Sequence, residues 1–285
     1  MRLTATVPAT SANLGPGFDC FGLALDLCNE VTVDAEAEPG VTWEGEGADE
    51  LPTDGSDMVS QAIAHAARAA GVPPPAHSLH GLNRIPLERG LGSSAAACVA
   101  GTVLADRLLG LSLQPEEVLE LAGELEGHPD NAAAAIAGGF TLAFGDGVLR
   151  LDPHPGLRPV VLLPTDVRLS TAAAREVLPD AVSRADAVSN AAHAAAAVVA
   201  FTSEPDLLTQ VLHDRLHQDV RLALVPTVKA VFDALWADGV PVCVSGAGPS
   251  LLAFDLQDRS VPDPGPGWRV LRPGVRARGA EIVAV

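Results

Sequence analysis

The residues with the most specific chemistry lie in the stretch PLERGLGSSAA, positions 86–96. Gly90 and Gly92 allow the backbone to turn tightly and to approach a ligand closely. Ser93 and Ser94 then fall in the first turn of a helix made of small residues. Free N–H groups and the positive dipole end make such a turn an anion site that needs no lysine. A nucleoside triphosphate fits there with a serine hydroxyl on Mg2+. A Gly-Ser helix cap without a ligand would use the same residues.

Other groups offer complementary chemistry. Asn13 and Asp19, in NLGPGFD, supply an amide and a carboxylate that suit an ammonium and a hydroxyl. An Asx-turn at Asn13 and a helix cap at Asp19 account for the pair equally well. His128, Asp130 and Asn131 follow a segment carrying Glu120, Glu124 and Glu126, and HPDN reads locally as a cap before an alanine-rich helix. Thr171 and Arg175 are spaced to share a helix face, and Arg221 adds a second guanidinium. A planar guanidinium matches a carboxylate bidentately, whereas a lone surface arginine is usually just solvated. His213 and His217 form an H-x-x-x-H pattern. A zinc protease needs H-E-x-x-H, and here Asp214 holds the second position.

The chain that must position these groups has 285 residues, enough for two domains, and 48% apolar content, enough for a sizeable core. Its formal charge of −18 comes from 36 acids against 18 bases, which disfavours nucleic acid and anionic membrane surfaces. Lys229 is the sole lysine and has no flanking glycines, so a Walker-type loop is excluded; it reads as a point on an amphipathic helix. No apolar run reaches the ~18 residues of a membrane span. The four cysteines form no C-x-x-C pair, and MRLTATVPAT lacks an apolar signal core, so the expectation is a reduced, cytoplasmic protein.

Strands are expected at 2–7 and 31–37, from their alternation. Asp57 is placed to cap a helix with Val59, Ile63, Ala66 and Ala70 on one face, ending at Gly71. Further helices span 93–109, stopped by Gly110, and begin at Pro115. A hairpin turns at Gly145-Asp146-Gly147. After a Pro-rich break near 152–158 come a buried strand at 159–163, helical stretches near 181–201, 205–217 and 226–238, and short strands at 242–245, 251–254 and 281–285.

Taken whole, P-x-x-x-G-L-G-S-S-A-A resembles the ATP-binding motif of the GHMP kinase superfamily. Residues 8–25 and 244–254 resemble its amino-terminal and carboxy-terminal motifs. The segments 127–140, 169–179 and 213–221 are similar to those of its homoserine kinases, although four alanines, 132–135, replace the usual V-A-P-A. The resemblance implies an α+β two-domain GHMP kinase fold. Residues 1–153 would form an N-terminal α/β ATP-binding domain and 154–285 a ferredoxin-like α+β C-terminal domain, with the site in the cleft between them. It implies ATP and Mg2+ as cofactors and phosphorylation of the L-homoserine hydroxyl. ATP would lie on Pro86, Leu87, Glu88, Arg89, Gly90, Leu91, Gly92, Ser93, Ser94, Ala95 and Ala96. Ser94 and Glu126 would hold the metal, with Glu124 the alternative to Glu126. Asn13, Asp19, His128, Asp130, Thr171, Arg175 and Arg221 would surround the substrate, the two arginines gripping its carboxylate. Asp130 is the candidate base; in the other scheme the hydroxyl attacks directly and Asn13 orients it. Another GHMP kinase, a GHMP-type decarboxylase and a silent binding module are the competing readings. A homodimer is compatible with a sequence that does not fix the oligomeric state.

Overall fold

The computed structural model describes residues 1–127, 129–145 and 147–284. The first sheet contains β1 (Arg2–Ala12), β2 (Phe21–Asp34), β3 (Gly40–Gly45), β4 (Ser78–Asn83), β5 (Phe140–Phe144), β6 (Gly147–Leu151) and β11 (Glu281–Ala284). Its order is β11-β1-β2-β4-β3, with β5 joined to the start of β2 and carrying β6. Only β3 and β4 run parallel. In β1 the expected alternation holds at first, burying Leu3, Ala5 and Val7. A register shift follows Pro8, and from there to Ala12 every residue is buried, because the second half of the chain covers the other face.

Helices α1 (Met58–Ala69), α2 (Ser93–Leu109), α3 (Pro115–Glu126) and α4 (Pro129–Ala137) form a layer against this sheet. Asp57 caps α1 by accepting from Ser60 N at 2.9 Å. Ala70 is the exposed C-cap, and Ala62 and Ala67 complete the buried face instead. Gly110 ends α2 in the left-handed conformation, and Glu117 Oε2 accepts from Gln114 N at 2.8 Å ahead of α3. Ala132–Ala135 are all buried in α4 where it meets β1, β2 and β5, so the alanine run is a packing feature.

The second sheet consists of β7 (Arg158–Pro164), β8 (Val242–Val244), β9 (Leu251–Asp255) and β10 (Trp268–Leu271), all antiparallel. Its order, β10-β7-β9-β8, is the ferredoxin-like arrangement, with an irregular segment where the second crossover helix would be. Between β7 and β8 lie α5 (Thr171–Glu176), α6 (Arg184–Thr202), α7 (Leu208–Val211), α8 (Gln218–Ala223) and α9 (Pro226–Ala237). Val161, Leu163, Leu252 and Phe254 join the large core shared with α6 and α7, while Val160, Leu162, Leu251 and Ala253 join a second core with α8 and α9. Burial on both faces explains why β7 reads as an unbroken apolar run. Phe21, Phe140, Phe201 and Phe254 pack ring to ring at 4.8–5.7 Å, tying β2 and β5 to α6 and β9.

One expected helix fails. The stretch 205–217 is not one helix: after α7 the chain leaves helical geometry, because Asp214 accepts from the backbone of Leu216, His217 and Gln218 at 2.7–3.0 Å. His213 and His217 therefore share no helix face, and the zinc pattern dissolves. The last strand, β11, pairs antiparallel with β1, so the chain returns to the first sheet. Among the described residues, no helix is long and apolar enough to cross a membrane.

Candidate active site

Gly90 and Gly92 have φ of +70° and +67°, and α2 starts directly after Gly92. A side chain at Gly90 would collide with the Ser245 carbonyl, and one at Gly92 with the Thr10 hydroxyl. Both glycines are thus needed for the turn and for close approach. Three sequence motifs interlock here. Thr10 N donates to Leu91 O at 3.0 Å, Ser245 Oγ to Gly90 O at 2.7 Å, and Gly246 N to Ala12 O at 3.0 Å. The Ser11 and Ser245 hydroxyls meet at 2.8 Å. The first N–H groups of α2 emerge from this braced loop into the cavity.

Glu126, at the end of α3, faces the same cavity near Ser94. Burial pushes its carboxyl above the usual range, the neighbouring Ser94 hydroxyl opposes this, and the Asp130 charge adds to it. Among the described residues, no basic side chain pairs with Glu126. Glu124 instead turns outward and bonds His65 Nε2 at 2.6 Å. Asp130 opens α4, is 2% exposed, and its carboxyl is pushed up to about 6, chiefly by burial. Asn131 N donates to it at 2.9 Å, while Asn131 Oδ1 accepts from Thr10 Oγ1 at 2.8 Å.

Opposite the Gly90–Gly92 loop stands a second group of side chains. Asp19 binds Arg175 through both oxygens, at 2.5 and 3.2 Å, a pairing across 156 positions. No helix follows Asp19, so the helix-cap alternative is wrong; β2 begins at Phe21. Asn13 Oδ1 accepts from Asp19 N at 3.0 Å and Asn13 Nδ2 donates to Gly246 O at 2.7 Å, leaving one amide hydrogen at the cavity wall. Thr171 and Arg175 lie on α5 as the spacing requires, and both line the cavity. Arg221, on α8, reaches it from below with its guanidinium buried.

These groups surround one cavity of about 530 Å³. Residues 86–94 and 96, Asn13, Glu126, Asp130, Thr171, Arg175 and Arg221 all line it. Asp19 joins through Arg175, Ala95 is buried in α2, and His128 lies outside the described residues. Sequence reasoning missed an apolar wing formed by Val31, Trp43, Leu51, Pro52 and Met58, whose members are scattered over two strands, a loop and the start of α1 and carry no motif. It also missed Arg168 and Glu50, which join across the rim as a bidentate pair, and Phe18 and His217 behind the arginines. The Phe18 signal was present, since it sits within NLGPGFD beside Asp19.

Residues 57–139, covering α1 to α4 and the Gly90–Gly92 loop, match the family of GHMP kinases N terminal domains. The chain is 43% identical to a homoserine kinase of Clavibacter michiganensis subsp. michiganensis over 99% of its own length and 87% of that protein's. It is 42% identical to a homoserine kinase of Streptomyces avermitilis, covering 97% of this chain and 94% of the relative. In three dimensions it resembles the crystal structure of homoserine kinase from Cytophaga hutchinsonii, with a TM-score of 0.83, 25% identity, and coverage of 99% and 97%. Sequence identity over nearly the whole chain and the shared architecture agree: the chain belongs to the homoserine kinase family of GHMP kinases.

Proposed function

We propose that the protein transfers the γ-phosphoryl group of ATP to the hydroxyl of L-homoserine, giving ADP and O-phospho-L-homoserine on the route to threonine in the cytoplasm. The observation that carries this reading is the Asp19–Arg175 ion pair, with buried Arg221 beside it, set across one cavity from a helix-end phosphate loop. An amino acid is a zwitterion. Its ammonium takes Asp19 and its carboxylate takes Arg175 and Arg221, so opposite charges remain paired before and after binding. A substrate carrying only negative charge would leave Asp19 unpaired.

Phosphoryl transfer asks the protein mainly for positioning and charge neutralisation. The backbone of residues 90–96 holds the phosphates, and the apolar wing around Trp43 and Met58 takes the base. Ser94 and Glu126 are the residues to hold Mg2+: hydroxyl and carboxylate oxygens are the hard donors it prefers, and Glu126 is a half-buried acid with no basic partner among the described residues. The ion, when bound, supplies positive charge against the phosphate oxygens. Asn13 directs its remaining amide hydrogen toward the acceptor. Asp130, with a carboxyl near 6, is ionised at neutral pH and suited to receive the hydroxyl proton.

ADP release from purified protein with L-homoserine, L-serine, mevalonate and galactose tests the assignment. Turnover on L-homoserine is expected. Activity on mevalonate alone, or on none of the four, would overturn it.

A further inference from the structure

We infer that His217 and Phe18 are positioning residues that hold Arg221 ready for the substrate carboxylate, an inference that rests on the carboxylate role given to Arg221 above. Arg221 is 2% exposed. Among the described residues, no carboxylate forms a salt bridge with it, although a buried guanidinium ordinarily requires an anionic partner. Its protein contacts are neutral. Nε donates to Ala174 O at 3.3 Å, and Nη1 is shared between Gly246 O and His217 Nδ1, each at 3.1 Å.

The imidazole is fixed by what it touches. His217 Nε2 lies 2.9 Å from the Gly15 carbonyl, which can only accept, so the ring proton resides on Nε2. Nδ1 is then a lone pair aimed at Arg221. The Asp214 carboxylate, 3.9 Å from Nε2, is outside hydrogen-bond reach and is already engaged with backbone N–H groups. Burial pushes the ring's pKa down to about 4, in keeping with the neutral form.

Phe18 completes the support. Its ring stacks on His217 with centroids 5.2 Å apart and planes at 25°, and the guanidinium carbons of Arg221 and Arg175 lie 5.2 and 5.7 Å from its centroid. Two like charges that repel one another thus share one aromatic ring. The positive charge of Arg221 is stabilised without being neutralised, so it remains available to an incoming anion. Because His217 also grips Gly15, the same imidazole ties Arg221 to the loop that carries Asn13 and Asp19.

His217→Phe keeps a ring against Phe18 and removes both nitrogen contacts; His217→Gln returns an acceptor. With purified full-length enzyme, His217→Phe is expected to raise the KM for L-homoserine roughly ten- to hundredfold, as for loss of one hydrogen bond to a charged group. The KM for ATP should stay within about twofold, and His217→Gln should recover much of the loss. In an Arg221→Ala background, which itself raises the L-homoserine KM, the effect of His217→Phe should be much smaller. An unchanged L-homoserine KM, an equal rise in both KM values, or an undiminished effect in the Arg221→Ala background would overturn the inference. Should His217→Phe fail to fold, Phe18→Leu tests the same support, and a wild-type L-homoserine KM there would overturn it. If Arg221→Ala leaves that KM unchanged, the carboxylate reading itself falls and takes this inference with it.

Discussion

Asp19→Asn isolates the ammonium contact with little disturbance of the backbone. Asp19 has φ of +52°, a left-handed conformation that asparagine tolerates as well as aspartate. The substitution keeps the amide N–H that Asn13 receives and the size of the side chain, and removes only the charge. A hydrogen bond between an ammonium and a carboxylate is worth ~1.5–3 kcal/mol more than its replacement by water. Against this, the unliganded protein no longer spends Asp19 on Arg175. With the two side chains 38% and 29% exposed, that pair is screened by solvent and returns at most about 1 kcal/mol. The net loss is about 2 kcal/mol, roughly thirtyfold in kcat/KM for L-homoserine. The decisive measurement is a ratio. 4-Hydroxybutyrate is the same acceptor without the amino group; the Arg175 offset applies to both substrates and cancels, so the preference for L-homoserine over it should fall by the whole contact, roughly ten- to hundredfold, in Asp19→Asn. Since the Asp19 charge also helps raise the Asp130 carboxyl, the acid limb of the pH profile should move to lower pH. A preserved ratio, with both substrates losing activity equally, would refute the zwitterion argument.

Two other expectations concern the acids. Glu126→Gln should weaken the apparent affinity for Mg2+ by about tenfold or more in a metal titration of activity, while Glu124→Gln, which removes only a surface contact with His65, should leave it within about twofold. Asp130 serves as a base only when ionised, so with its carboxyl near 6, kcat should rise with pH through about 6 and level off above it. Asp130→Asn should lower kcat and abolish that limb; a variant retaining both rate and limb would assign proton removal elsewhere.

Local chemistry was legible in the sequence wherever one residue settles the backbone. Gly92 and Gly110 bound α2, Asp57 caps α1 and Pro115 starts α3, and each acts within a turn of its own position. The phosphate loop was legible for the same reason. The segment 205–217 was misread because its helical composition is overruled by one side chain, Asp214, competing for backbone N–H groups. The early part of β2 was missed because Phe21–Leu25 are all buried and lack the alternation that marks Val31 and Val33. The apolar wing and the pairing of Asp19 with Arg175 depend on residues brought together only by the fold. Residue types suggested both charges, but no spacing could show that they neutralise each other in the unliganded protein.

The phosphate loop leans on Ser245 and Gly246, some 155 positions further along the chain. That dependence imposes an order in time on biosynthesis. When the ribosome has released residues 86–96, their wall has not yet been translated, and a nascent chain holding only β1 to β6 and the first four helices has the glycines without the turn after β8 that braces them. Competence to hold nucleotide should therefore arrive abruptly and late, once β8 and β9 are in place, so that an unfinished chain has no assembled site at which to consume ATP.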